Sequence, residues 1–343
     1  MTGATSQGSA PRLRAAVIGC GAIGSRRSEN KKMPGVLSHA EAYRLCPNTD
    51  LVALADADAA ALQRAGHLWN VEHLYRDAAA LLKSERPDIV SICTPDATHA
   101  DILRLTFDAS VPAVLCEKPL ATTLEEARAL AAEAEGTGTV LAVNYQRRYD
   151  PMHRRVRDAI QSGTIGEVRH VTGWYTKGIV HNGTHLLDTL RFLCGEIVHV
   201  EGLNPRPGPP GDSTPDAVLT FAGGFTGFVH GCSAEEFAVF DIDVIGSRGR
   251  VRLVEEGHAV EFYTLGDSQY YPDYRQFVQA PFEPSAGLRD PLLYPVEDTV
   301  RALGTRSYPA CTAADAIRAL DLALLIARSA ARQALPTEGA QLQ

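Results

Sequence analysis

The first part of the chain alternates two patterns. Short apolar runs, many β-branched, read as strands buried on both faces: "LRAAVIGC", "DLVALADA", "DIVSICTP", "AVLCEKP" and "VLAVNY". Between them lie Ala- and Leu-rich helical stretches such as "DAAALLKSE", "ADILRLTFDA" and "TLEEARALAAEAE". This alternation predicts a doubly wound α/β domain with a parallel sheet, a Rossmann domain over residues 13–143, after a flexible tail at 1–12. Beyond about residue 150 the pattern becomes strand-like with hairpin turns. "EVRHVTGWYTK", "EIVHVEGLN", "DAVLTFAGGFTGFVHG" and "FDIDVIGSRGRVRLVEEGHAVEFYTL" turn at "AGG" and "GSRG". Helices around "PMHRRVRDAIQSG" and "THLLDTLRFLCG" interrupt them, which predicts an α+β domain over 144–311 with a mostly antiparallel sheet. "NPRPGPPGDSTP" reads as an exposed loop. Residues 312–332 have helical spacing with Thr312 as N-cap, and this helix is expected to pack back on the first domain.

Composition narrows the class. A chain of 343 residues is too long for one ordinary core and suits two domains. Hydrophobic residues make up 45% and charged residues 22%, and no apolar run approaches the roughly 20 residues that span a bilayer. "MTGATSQGSAPR" lacks the basic start and apolar core of a secretory signal. The net charge of −8 and the lack of a long basic block argue against nucleic acid as a partner; an acidic surface tolerates a cationic substrate. Seven scattered cysteines with no CxxC pair predict neither zinc nor a disulfide framework. The expectation is a reduced, cytoplasmic protein with no membrane partner.

Candidate chemistry starts at "GCGAIG", Gly19–Gly24, a strand followed by glycines at dinucleotide-fingerprint spacing. Gly19 permits the turn, Gly21 admits a pyrophosphate, and Gly24 lets a helix pack on the strand; Cys20, Ala22 and Ile23 complete the loop. Asp56 ends the next strand and suits the adenosine ribose hydroxyls, favouring NAD over NADP. It lies 32 residues beyond Gly24, against roughly 20 in the simple fingerprint. The extra length holds Arg26, Arg27, Lys31 and Lys32, which form either a solvated loop or a contact to a 2′-phosphate or an anionic substrate. Thr94, Pro95 and His99 in "CTPDATH" and Glu117 and Lys118 in "CEKPL" follow further strands, where ligands of open α/β sheets bind. Glu117 can accept from a ribose hydroxyl. Lys118, followed by Pro119, is either a surface cation or a group that polarises a carbonyl oxygen. His181 and His185, four apart, are either proton shuttles or structural histidines. With no third ligand in sight, no metal is expected.

With these motifs in hand, the chain resembles the Gfo/Idh/MocA oxidoreductases from about Leu13 to Arg332. The markers are "VIGCGAIG", "TPDATHA", "CEKPLA", "VNYQRRYDP", "GTHLLDTLRFLCG" and the last helix. The resemblance implies a Rossmann domain, a C-terminal domain with a large open sheet, an active site between them, and a homodimer or homotetramer formed through the sheet. It implies that Lys118 lies at the nicotinamide and assists catalysis, that Pro119 follows a cis peptide, and that His185 is the site histidine. His181 stands where the family has an aspartate. Arg148, Tyr149, Trp174, Lys177 and Asn182 lie in or beside these motifs and become substrate candidates; Trp174 either stacks on a sugar face or fills the interface between sheet and domain, and Lys177 is either a contact or a solvated cation. The implied reaction is hydride transfer between NAD and a secondary alcohol of a sugar-like ring: a sugar, a sugar nucleotide, a cyclitol or an amino sugar such as an aminoglycoside, within secondary metabolism. Dihydrodiol- or biliverdin-type chemistry and a non-catalytic NAD-binding regulator are the alternatives.

Overall fold

The computed structural model describes residues 11–29, 31 and 34–333. The expected tail at 1–12 falls outside these residues except for Pro11 and Arg12, and Lys32 falls outside them altogether. Two compact units form: one runs to Asn144 and includes Leu292–Ala310, the other takes Tyr145–Pro291 and the chain from Cys311 onward.

In the first unit the elements are β1 (Leu13–Ile18), α1 (His39–Leu45), β2 (Thr49–Ala55), α2 (Ala59–Trp69), β3 (His73–Tyr75), α3 (Ala78–Glu85), β4 (Ile89–Ile92), α4 (His99–Asp108), β5 (Ala113–Cys116), α5 (Leu124–Thr137) and β6 (Val140–Val143). The strands pair in parallel in the order β3-β2-β1-β4-β5-β6, the doubly wound order. β4 and β5 are buried along their whole length, which is why they read as unbroken apolar runs. Helix starts carry their signals: Asp58, Asp77 and Thr123 each accept a backbone N–H of the turn they cap.

The helix after the glycine loop departs from expectation. One turn winds from Gly21, with Ser25 N–H bonded to Gly21 O, and α1 begins only at His39. The break is bridged. His39 N–H bonds to Ile23 O and Ala40 N–H to Gly24 O, so His39 takes the acceptor that residue 27 would take in an unbroken helix. The loop of about a dozen residues accounts for the surplus between Gly24 and Asp56. Ser38 caps α1 by accepting from Glu41 N–H, and the Glu41 carboxylate holds the loop through Ser28 Oγ, Leu37 N–H and Lys31 Nζ.

The second unit holds α6 (Pro151–Gln161), β7 (Val168–Tyr175), α7 (Thr184–Cys194), β8 (Ile197–Arg206), β9 (Thr214–Phe221), β10 (Thr226–Gly231), β11 (Asp241–Gly246), β12 (Gly249–Val254), β13 (Ala259–Asp267) and β14 (Arg275–Ala280). The eight strands run β14-β13-β12-β11-β7-β10-β9-β8, antiparallel except for the β7–β10 pair. One face alternates buried Val171, Leu219, Val244 and Val251 under α6 and α7.

Two last helices follow, α8 (Leu293–Thr305) and α9 (Ala313–Gln333). The expectation that 312–332 returns to the first unit does not hold. α9 packs on β8, β9 and α7 of its own unit, burying Leu322, Ala323 and Ile326. α8 is the returning helix, with Val296, and Leu292 just before it, in the core of the first unit beside Tyr43 and Leu115. The Thr312 cap is present: Thr312 Oγ1 accepts from Asp315 N–H while the Asp315 carboxylate accepts from Thr312 N–H.

Candidate active site

The carboxyl ends of β1, β2 and β4 frame a cleft of about 710 Å³ in the first unit. Gly19, Cys20, Gly21, Asp56, Thr94 and Pro95 line it, so six of the expected cofactor residues come together. The three glycines differ in kind. At Gly19, with φ of 99°, a Cβ would lie 2.6 Å from Cys93 C; at Gly24 it would lie 1.9 Å from Gly19 O. At Gly21 a Cβ meets no protein atom within 4 Å, so the loop is open there toward the cleft, as a pyrophosphate requires. The residues present therefore fit a dinucleotide. Ala22 follows within the turn, and Ile23 packs into the core.

Asp56 is partly engaged by the glycine loop and by its own loop. Oδ2 accepts Cys20 N–H at 2.6 Å and Oδ1 accepts Asp58 N–H at 2.7 Å. An ionised carboxylate has about four acceptor sites, so capacity for ribose hydroxyls is left. Arg26, Arg64 and Arg76 line the same cleft, while Arg27 is exposed and Lys31 is bound to Glu41.

His99 does not line the cleft. It is fully buried, with Nδ1 2.7 Å from Pro119 O and Nε2 2.9 Å from Thr94 O, so it brackets the loops after β4 and β5. The expectation of a direct cofactor contact gives way to this role. The Lys118–Pro119 peptide is cis, and Lys118 is half-buried.

Glu117 ends a polar chain that the sequence reading does not contain. His39 Nε2 and Asn144 Nδ2 lie 2.9 and 2.7 Å from Glu117 Oε1; His39 Nδ1 lies 2.9 Å from Ser91 Oγ, which lies 2.8 Å from Tyr43 OH. Burial alone would push the Glu117 carboxyl up. The hydrogen bond and charge of His39, the Asn144 amide and Lys118 outweigh it and hold it below the usual carboxylate value. Ser91, His39 and Glu117 have the order of a hydrolytic triad, but Ser91 is wholly buried in β4 and cannot reach a substrate. Two sequence signals point here: a serine inside "IVSI", and Ser38 three residues before Glu41, a capping box that starts a helix at His39.

In the second unit, Ile179–Gly183 forms one wide helical turn that runs straight into α7. His181 on this turn is exposed, and His185 in the first turn of α7 is half-buried. The Tyr145 ring meets the His185 ring edge-on, centroids 5.2 Å apart. Asn182 Nδ2 donates to Thr176 O, and Lys177 is exposed with φ of 68°.

Three substrate candidates land elsewhere. Arg148 is buried, with Nε donating to both oxygens of Asp188 at 2.9 Å and an Nη 3.0 Å from Asp315. Burial pushes the Asp188 carboxyl up, against the pull of Arg148. Arg148 thus closes a network between α7 and α9 and is corrected from substrate contact to structural ion pair. Tyr149 is buried too, its hydroxyl 3.4 Å from Cys311 O. On β7, Gly173 and Tyr175 face the core, with Gly173 against Leu186 of α7; Trp174 points to the opposite sheet face, stacked on His230 at 5.7 Å. Strand alternation therefore turns it away from α7. Among the described residues, no helix is long and apolar enough to cross a membrane.

Comparison with known proteins gives a consistent picture. Residues 13–145 match the oxidoreductase family with an NAD-binding Rossmann fold, and residues 153–252 match the GFO/IDH/MocA C-terminal domain. The chain is 33% identical to a D-apiose dehydrogenase of Paraburkholderia graminis, over 71% of this chain and 68% of that one. It is 31% identical to an inositol 2-dehydrogenase of Rubrobacter xylanophilus, over 72% and 73%. The crystal structure of a putative myo-inositol dehydrogenase from Sinorhizobium meliloti superposes with a TM-score of 0.74 at 26% identity, over 94% of this chain and 98% of that one.

Proposed function

From the premise that the chain belongs to the Gfo/Idh/MocA family of oxidoreductases, we propose that it is a nicotinamide-dependent dehydrogenase of a polyhydroxylated ring, a sugar or cyclitol. The observation that carries the reading is the cleft in which Gly19 and Gly24 are closed by backbone and Gly21 is open. The names of the relatives, apiose and inositol dehydrogenases, support the substrate class.

When bound, the cofactor supplies the hydride acceptor. Gly19–Gly24 hold its pyrophosphate, and Asp56 accepts from its adenosine ribose, which favours NAD. His185 takes the proton of the substrate hydroxyl, its ring packed edge-to-face with that of Tyr145. Lys118 assists at the reacting oxygen, its strand end fixed by Glu117 and the chain behind it. Asn182, His181 and Lys177, on and just before the turn that leads into α7, are the candidates for the remaining hydroxyls. An acidic surface suits an amino sugar, so aminoglycosides belong in the substrate panel.

The test follows reduced-nicotinamide absorbance with NAD or NADP against myo-inositol, D-apiose, D-glucosides, sugar nucleotides and aminoglycosides. Lys118→Met serves as the blank. Turnover of one class, lost in Lys118→Met while NADH binding persists, is the expected result. NADH binding with no turnover in either direction across the panel overturns the reading and favours a regulator that only binds the cofactor.

A further inference from the structure

The loop between β8 and β9 holds the turn that leads into α7. Gly178 N–H donates to Thr214 Oγ1 at 3.1 Å and Ile179 N–H to Ser213 O at 2.8 Å. Val180 N–H donates to Asp212 Oδ1 at 3.0 Å and His181 N–H to Asp212 Oδ2 at 2.8 Å. These are the amides that open the helical path running from Ile179 through α7. The first amides of a helix have no partner inside it, and an N-cap side chain ordinarily accepts from the second or third of them. The residue in the cap position here is Gly178, which has no side chain. Its φ is 83°, and a Cβ built on it would lie 2.1 Å from Asp212 Oδ2. The glycine leaves the cap site empty, and a carboxylate from a loop distant in sequence fills it. A negative charge there is also favoured by the helix dipole.

We infer that Asp212 is a positioning residue for the reaction: a distal N-cap that fixes the turn presenting His181 and His185. It acts through backbone amides and does not touch the substrate. The inference rests on the reading of His185 as proton carrier. A carboxylate that only steadied the fold would change stability. One that aims the proton carrier changes the chemical step, because a misaimed group lowers kcat with KM unchanged.

The experiment compares Asp212→Ala and Asp212→Asn with the wild type in the full-length protein. Asparagine keeps one acceptor oxygen and loses the charge; alanine loses both. Three readouts are taken: hydrogen exchange of the segment 178–185, the NADH dissociation constant, and kcat and KM with NAD and whichever compound of the panel above the wild type oxidises, myo-inositol first. Asp212→Ala is expected to lose exchange protection at Val180 and His181. Its kcat falls on the order of 100-fold, with KM and NADH affinity within about twofold. Asp212→Asn recovers part of kcat. Two outcomes overturn the inference: protection retained in Asp212→Ala, or protection lost with kcat within about twofold of wild type. If Asp212→Ala does not fold, Asp212→Asn decides: exchange protection lost at Val180 or His181 with kcat within about twofold of wild type overturns it. A wild type that binds NADH but oxidises no compound of the panel defeats the proposed function instead, while hydrogen exchange still decides whether Asp212 caps the turn.

Discussion

Replacing His39 with leucine separates electrostatics from packing in the chain beneath Glu117. His39 is fully buried, its Nε2 2.9 Å from Glu117 Oε1 and its Nδ1 2.9 Å from Ser91 Oγ. Leucine fills much of the volume and removes both contacts, leaving Glu117 the Asn144 amide. Breaking one partner of a buried pair costs about 3–5 kcal/mol. The Glu117 side chain is 13% exposed and keeps Asn144, so the low end, about 3 kcal/mol, applies. For a unit of this size that lowers the unfolding temperature by roughly 6–12 °C. Its pH dependence carries the reasoning. In the wild type the Glu117 carboxyl is held below its usual value. A depressed carboxyl contributes stability that is fully present above its unfolded pKa of about 4.3 and is lost as pH falls through the folded value. Without His39 the burial penalty is no longer outweighed. Glu117 then titrates higher in the folded variant, and acidification relieves it. Both effects narrow the gap between the two proteins as pH falls. Scanning calorimetry between about pH 7 and pH 4 should show the largest gap near neutrality. A gap independent of pH would mean that only packing was lost, and the electrostatic account would fail.

Other consequences can be measured alongside. Gly24→Ala places a Cβ 1.9 Å from Gly19 O, so it should lower the unfolding temperature and weaken NADH binding at least about tenfold. Gly21→Ala, which meets no protein atom, should weaken NADH binding by a similar factor without touching stability; unchanged affinity would remove the pyrophosphate from this loop. Arg148→Leu strands the buried Asp188 carboxylate, leaving it Arg191 at 4.0 Å, and should destabilise the second unit by about 3–5 kcal/mol. A raised KM with unfolding unchanged would instead restore Arg148 as a substrate contact.

The legible parts of the chain are those with a period or a spacing. β4 and β5 are buried on both faces, so their sequences are continuous apolar runs, and the alternation of strands and helices around them marks the parallel sheet, though not its strand order. Glycine spacing locates the cleft because each glycine answers a separate steric demand. Helix α9 was legible as a helix but not in its docking. α8 and α9 are both amphipathic, and an apolar stripe tells that a surface is buried without telling against what.

The parts that were not legible share one physical cause. His39, Asn144 and Asp212 act by satisfying a polar group far away in sequence: His39 and Asn144 on Glu117, Asp212 on the amides of Val180 and His181. Such a contact has no period, and its partner, being backbone or a lone carboxylate, leaves no complementary residue to recognise. "NPRPGPPGDSTP" reads as a solvated connector because Pro and Gly dominate it, yet the two residues that follow its last glycine, together with Thr214, satisfy the amides of 178–181. Arg148 errs in the opposite direction. It stands in a motif and carries a charge, which reads as a ligand contact, whereas its burial beside Asp188 is decided by where α7 and α9 pack. In both cases the deciding quantity is which polar groups folding removes from water, since each must then find a partner. For Asp212 the trace left in the sequence is the glycine that makes room. Gly178 has no turn partner to explain it until the Asp212 carboxylate is seen 2.1 Å from where its Cβ would be.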